Sequence, residues 1–171
     1  EGKVKVEDVV NNYEIFSDKA IYKKDEEIIF TEGNSKGIDD KNRIITSDKI
    51  TYNKITNVVE AEGKVKVEDV VNNYEIFSEK LNYFKENNKI VTKGFTEAKI
   101  ENKYYIESQN VTYFLNRKEI SSEVKSKIKD NKNQVYFLDK FIFNIDTSLL
   151  KGENILTITN HNLPKSDKFF F

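Results

Sequence analysis

A phrase of six residues recurs along this chain at almost constant spacing, and that spacing constrains the fold more than any other feature. SDKAIY occupies residues 17–22, SDKITY 47–52, SEKLNY 78–83 and SQNVTY 108–113, with a degenerate LDKFIF at 138–143; the intervals are 30, 31, 30 and 30 residues. Glycine keeps the same beat. Gly2, Gly33, Gly63 and Gly94 are separated by 31, 30 and 31 residues, and Val124 stands where a fifth glycine would fall. The seventeen residues EGKVKVEDVVNNYEIFS at 1–17 return unchanged at 62–78, which reads as a duplication within the longer series. The fold must accommodate one unit about every thirty residues.

Within a unit the period is two. Around Gly63, Val59, Ala61, Val65 and Val67 alternate with Glu60, Glu62, Lys64 and Lys66; around Gly94 the set is Ile90, Thr92, Thr96 and Ala98, and around Gly33 it is Ile29, Thr31, Ser35 and Gly37. One face is apolar or small and the other charged, as a half-buried strand requires and a helix does not permit. The second half of each unit alternates as well. Ile15, Ile45, Ile76, Ile106 and Tyr136 sit two residues before the serine position; Ala20, Ile50, Leu81, Val111 and Phe141 follow three after it, and Tyr22, Tyr52, Tyr83, Tyr113 and Phe143 five after it. The step across the serine is odd, which predicts a bulge or corner at Ser17, Ser47, Ser78 and Ser108.

Polar clusters such as KKDEE at 23–27, DDKNR at 39–43, FKENN at 84–88 and KDNKN at 129–133 separate the apolar runs. Each unit therefore reads as two strands of about ten residues joined by short turns, in an up-and-down order. About ten such strands, at ~4.8 Å each, predict a body on the order of 45–50 Å long. The inward positions taper, with Ile, Val and Tyr at one end of a strand and Gly, Thr, Ser and Ala near its middle. Small residues let two sheet walls approach and large ones fill the space where they diverge, which predicts a folded sheet of V-shaped section. Its inside is either an apolar trough or a core packed by its own side chains, and periodicity alone leaves both open.

Charge narrows the function classes. The 171 residues carry 28 basic and 29 acidic side chains, interspersed, for a net charge of −1, so no basic stripe calls for nucleic acid. The chain has no cysteine, hence no disulfide framework or thiolate site, and the redox compartment stays open. It begins at Glu1 and reads as a mature or excised fragment. No apolar run is long enough for a membrane-spanning helix. His161 is the single histidine and reads as an exposed loop residue; no catalytic triad, metal set or phosphate loop is evident, so the expectation is a protein without catalytic residues, metal or cofactor. Asp39-Asp40 and Asp25-Glu26-Glu27 lack calcium-loop spacing and read as turn residues.

VVEAEGKVKVEDVVNNYEIFSEKLNY at 58–83 and IVTKGFTEAKIENKYYIESQNVTY at 90–113 resemble the OstA-like domain of the lipopolysaccharide-transport proteins of LptA type and of the periplasmic part of LptD type. The likeness covers about residues 1–160. It implies an all-β fold, an elongated folded antiparallel sheet of the β-taco or β-jellyroll kind, built from about five 30-residue two-strand repeats near 1–27, 28–57, 58–88, 89–118 and 119–160. The domain would span 1–163, with 164–171 starting a further segment that leads, in the LptD type, to an outer-membrane barrel. It further implies non-enzymatic transport, in which lipopolysaccharide acyl chains are shielded in an apolar trough lined by Ile15, Ile29, Ile45, Val59, Val65, Val67, Ile76, Ile90, Ile106 and Ile120. Implied partners are lipopolysaccharide, other OstA-like domains paired edge to edge and, for the LptD type, an outer-membrane lipoprotein. The implied location is the periplasm of a Gram-negative bacterium, at the outer membrane. Two features depart from the pattern: no cysteine is present, and Arg43 and Gln134 replace the tyrosine found at Tyr13, Tyr74 and Tyr104. Arg43 interrupts the trough, meets an anionic head group at its rim, or caps a turn as an exposed charge. The competing reading is a repetitive structural or adhesive surface protein with a sealed core.

Overall fold

Alternation of apolar and charged residues builds strands throughout. The structure, a computed structural model, describes residues 4–159; Gly2, His161, Pro164 and the segment 164–171 lie outside the described residues. Sixteen antiparallel strands share one open sheet: β1 (Val4–Asp8), β2 (Tyr13–Ser17), β3 (Lys19–Lys23), β4 (Ile28–Asp39), β5 (Ile44–Asn53), β6 (Val58–Asp69), β7 (Tyr74–Phe84), β8 (Lys89–Ile100), β9 (Tyr104–Gln109), β10 (Thr112–Phe114), β11 (Glu119–Ser122), β12 (Ser126–Asp130), β13 (Val135–Leu138), β14 (Lys140–Asn144), β15 (Leu149–Glu153) and β16 (Leu156–Ile158). The one helical element among the described residues is a 3₁₀ turn at Leu115–Arg117.

The five long strands β4–β8 each carry a bend. Their pairing slips between Glu32 and Ser35, Thr46 and Lys49, Glu62 and Val65, and Ser78 and Lys80, at the odd step the repeat contains. Gly33, Gly63 and Gly94 take φ of +83°, +78° and +82° there, a region open to glycine at little cost. Where Val124 replaces glycine the strand does not continue: β11 stops at Ser122 and β12 starts at Ser126. The bend also divides β2 from β3, β9 from β10, β13 from β14 and β15 from β16. The count is therefore sixteen segments rather than about ten strands, although they amount to eleven passes of the chain.

The bend gives the sheet two limbs. The first runs β1-β2-β4-β5-β6-β7-β8-β9-β12-β13-β16 and the second β3-β4-β5-β6-β7-β8-β10-β11-β14-β15, with β4–β8 crossing both. The limbs face each other, since Tyr13 of the first packs on Tyr52 of the second with ring centroids 5.0 Å apart, and Tyr74 likewise on Tyr113 at 5.3 Å. The result is a folded sheet with a crease at the bulges and a mouth where the turns gather.

At the crease, bulging strips backbone carbonyls of their ladder partners, and short hydroxyls replace them. Ser17 Oγ donates to the carbonyls of Glu32 or Gly33, Ser47 to Lys49, Ser78 to Lys80, Ser122 to Gln109 and Ser126 to Val124. Thr31 and Thr92 each donate to and accept from one backbone residue, Ile50 and Val111. The crease is thus lined by hydroxyls rather than being apolar along its whole depth, and β6, with Ala61 and Val65 at those places, is the exception.

At the mouth, acidic residues make the turns. Asp8, Asp39, Asp69 and Asp130 accept backbone N–H bonds from residues two to four positions on, in Asx-type turns. Asn12, Asn42, Asn73, Asn102 and Asn133 then take φ between 48° and 61°, a left-handed conformation asparagine tolerates.

Candidate functional site

The space between the limbs is filled in layers. Behind the crease hydroxyls lie Ile15, Ile45, Val67, Ile76, Ala98, Ile106 and Ile128 of the first limb, facing Ile50, Leu81, Val111 and Phe141 of the second. Toward the mouth come Ile29, Val59, Ile90 and Ile120, alternating along the second limb with Tyr52, Tyr83, Tyr113 and Phe143. All ten residues the repeat nominates (Ile15, Ile29, Ile45, Val59, Val65, Val67, Ile76, Ile90, Ile106 and Ile120) are buried, none more than 3% exposed. Ile100 and Ile128 belong to the same layers, and both were readable by alternation: Ile128 stands four residues after Val124 as Val67 does after Gly63, and Ile100 two after Ala98.

Two edge positions behave differently from their counterparts. Tyr22 is 47% exposed and Ala20 half-buried, because β3 is an edge strand paired only with β4. Tyr136 is likewise half-buried.

Four cross-limb rungs close the mouth, each joining residues 39 or 40 apart in sequence. They are Tyr13–Tyr52, Arg43–Tyr83, Tyr74–Tyr113 and Tyr104–Phe143, at 5.0, 4.8, 5.3 and 4.6 Å. Tyr52 Oη donates to Asp8 Oδ2 at 3.0 Å, Tyr83 Oη to Asp39 Oδ2 at 3.1 Å, and Tyr104 and Ser148 share a hydrogen bond of 2.9 Å. Sequence reasoning missed these rungs, since no local pattern pairs residues forty apart across a fold.

Arg43 overturns the exposed-turn expectation. It is 5% exposed, donates through Nε to Asp39 Oδ2 at 2.7 Å and lies over Tyr83, so it occupies a rung. Burial opposes its charge, yet Tyr83 and the Asp39 carboxylate more than compensate and raise its pKa. Burial pushes the phenols of Tyr13, Tyr52, Tyr74, Tyr83 and Tyr113 upward, keeping them neutral donors across ordinary pH. Lys85 reaches across the mouth to the Asn11 carbonyl and the Tyr13 ring, and burial lowers its pKa.

The interior is packed. The crevice among Tyr13, Arg43, Ile45, Val67, Tyr83 and Ile90 has no room for water. Outside it, a polar cleft of about 320 Å³ covers Arg43 and Tyr83. The roomier hollow, about 560 Å³ beside Phe16, Lys36, Ile38 and Thr46, lies on the outward face of the bend, away from the core. Among the described residues no three metal-ligating side chains converge. What the arrangement offers is a shielded apolar layer behind a polar, aromatic mouth.

No protein-family profile and no curated protein matches the sequence. Among solved structures, the fold is similar to LptH, described as the LptA-homologous periplasmic component of the lipopolysaccharide transport device from Pseudomonas aeruginosa. The match covers 87% of this chain and 95% of that one at 10% identity and a TM-score of 0.38.

Proposed function

We propose that this chain is a non-enzymatic lipid-binding and transport domain that shields the acyl chains of lipopolysaccharide between its two limbs and passes them along the sheet. The observation that carries the reading is the buried apolar layer behind the mouth, in which aliphatic side chains recur on strand after strand of both limbs. Equivalent neighbouring sites let an acyl chain move from strand to strand without a deep energy minimum.

Binding requires the limbs to part, and the magnitudes allow it. Separating four aromatic or cation–aromatic pairs costs about 2–6 kcal/mol, and parting the Tyr52–Asp8, Tyr83–Asp39 and Tyr104–Ser148 hydrogen bonds adds about 1 kcal/mol each. Burying one twelve-carbon chain returns about 10 kcal/mol, at ~0.8 kcal/mol per CH₂. The sheet ends are suited to continuation by a second domain of the same kind. β1, β3, β15 and β16 each pair on one side only among the described residues, leaving backbone groups open to strand addition. With the resemblance to OstA-like domains, open sheet ends support a reading in which the chain works in the periplasm of a Gram-negative bacterium, in a bridge toward the outer membrane. An outer-membrane lipoprotein partner follows if the chain is of LptD type, in which case the domain over 1–163 precedes a barrel.

A second reading, a structural or adhesive protein with a sealed core, is favoured by the lack of water-sized space behind Arg43. One experiment separates the two. With a photocrosslinking residue at Ile76 or Ile106, transport predicts covalent adducts with added lipopolysaccharide. Adducts at neither position, in protein that retains its β spectrum, contradict transport and leave the sealed core.

A further inference from the structure

Arg43 gives one rung of the mouth a property the others lack. The remaining three rungs are pairs of aromatic rings, whereas this one carries a guanidinium, and it sits between an apolar crevice on the inside and a polar cleft on the outside. Arg43 and Tyr83 line both spaces. In the cleft, Lys41 and Lys85 stand on either side of the rung, with the amides of Asn11, Asn57 and Asn88 around them.

The charges there are unevenly committed. Asp39 is saturated: its carboxylate accepts from the backbone of Lys41 and Arg43, from Arg43 Nε and from Tyr83 Oη. Asp40 and Glu86 also border the cleft, but both are exposed and free to turn to water. Lys41 and Lys85 make no ion pair among the described residues; Lys41 Nζ donates to Asn88 Oδ1 and Lys85 Nζ to the Asn11 carbonyl. Lys85 is half-buried, and what its ammonium loses in hydration outweighs the attraction of Asp40, Asp39 and Asp8, so its pKa is lowered. Inside, Tyr13 and Tyr74 occupy the rungs flanking Arg43; the Tyr74 hydroxyl lies within reach of the Arg43 guanidinium and the Tyr13 hydroxyl against Gly37, and neither buried hydroxyl has an acceptor for its proton. A buried phenol without an acceptor is unfavourable, a deficit that an incoming acceptor oxygen removes.

We propose that the Arg43 rung is a head–tail junction site for a phosphate-bearing lipid: the phosphate lies in the outer cleft against Arg43, Lys41 and Lys85, the chain enters the crevice, and the Tyr13 and Tyr74 hydroxyls donate to oxygens at the linkage. This rests on the lipid-binding reading above and specifies where along the sheet the head group stops. The rungs without a cation pass the lipid; this one retains it.

Titration with single-chain probes below their micelle concentrations tests the site. The wild type is expected to bind dodecyl phosphate at least about tenfold tighter than dodecyl maltoside, through charge-assisted bonds the sugar cannot make. Arg43→Tyr installs the residue that neighbouring units carry at this place, so the fold should tolerate it. It is expected to bring the two affinities within about twofold, and Lys85→Gln to reduce the preference by about threefold. Equal binding of both probes by the wild type, or an undiminished preference in Arg43→Tyr, overturns the junction site while leaving lipid binding intact. Absence of binding by either probe overturns the lipid reading itself. Inorganic phosphate is the third arm: weak displacement of dodecyl phosphate supports the junction, whereas phosphate alone binding as tightly overturns the lipid part of the assignment.

Discussion

Val4–Ser17 and Val65–Ser78 carry the same fourteen residues in the same order, yet they are not equally buried. Val4 is 36% exposed where Val65 is 2%, and Val6 is half-buried where Val67 is fully enclosed. The reason is position. β6 has β5 on one side and β7 on the other, whereas β1 pairs only with β2. Beyond the first turn the copies converge, and Tyr13, Ile15 and Ser17 are as deeply set as Tyr74 and Ile76. Alternation decides which face a residue takes, and neighbouring strands decide how much water that face sees.

The copies differ in finer ways too. Ile15 is opposite Gly37, and a Cβ there would run into the Tyr13 phenol; Ile76 is opposite Ala98. Asp8 receives the Tyr52 hydroxyl across the mouth, while Asp69 is bonded by Asn72 of its own turn.

The widest separation between the copies should come from charge. Val67→Asp places an unpaired carboxylate in the core and is expected to cost several kcal/mol, on the order of the whole stability, whereas Val6→Asp should cost less than about 1 kcal/mol. Urea unfolding midpoints measure both, and similar losses would mean that β1 is covered as β6 is. Next in size, Gly37→Ala should destabilise by about 1–3 kcal/mol because Tyr13 must move, while the reverse change at the matching place, Ala98→Gly, should cost about 1 kcal/mol. A neutral Gly37→Ala would show that Tyr13 does not press on that strand.

The smallest effect separates the two aspartates. Tyr52→Phe should cost about 1 kcal/mol at neutral pH and Tyr113→Phe less. Burial raises the Asp8 pKa, but bonds from Asn11 and Tyr52 and the charge of Lys54 outweigh it, leaving the group below its ordinary 3.8. A depressed carboxyl contributes stability above the unfolded value and loses it as pH falls through the folded one. The cost of Tyr52→Phe should therefore shrink as pH falls below the ordinary 3.8 and through the lowered pKa of Asp8; a cost that stays constant until Asp8 is fully protonated would mean that its carboxylate does not fasten the mouth.

Much of this was legible because the relevant signals are local. The face taken by each of the ten nominated residues follows from period two, and the bulges follow from the odd step at Ser47 and Ser78 together with the glycine beat. Burial at the edge was not legible, since Tyr22 and Tyr52 share a motif and differ only in having strands on both sides. The inward turn of Arg43 depends on Tyr83, forty residues on and on the other limb. The hydroxyl-lined crease was hidden for a different reason: Ser17 and Thr31 read as small residues that let walls approach, while their use lies in carbonyls that the bulge leaves unpaired.

The central claim is that the limbs part to admit acyl chains, and the absence of cysteine makes it directly measurable with paired labels. Spin labels at Val71 and Glu86, exposed residues in turns of the first and second limbs, report the width of the mouth by dipolar distance. Added lipopolysaccharide should lengthen that distance measurably, in step with the adducts at Ile76 and Ile106. A distance unchanged at saturating lipopolysaccharide would mean that the core stays shut and that the sheet is a scaffold rather than a conduit.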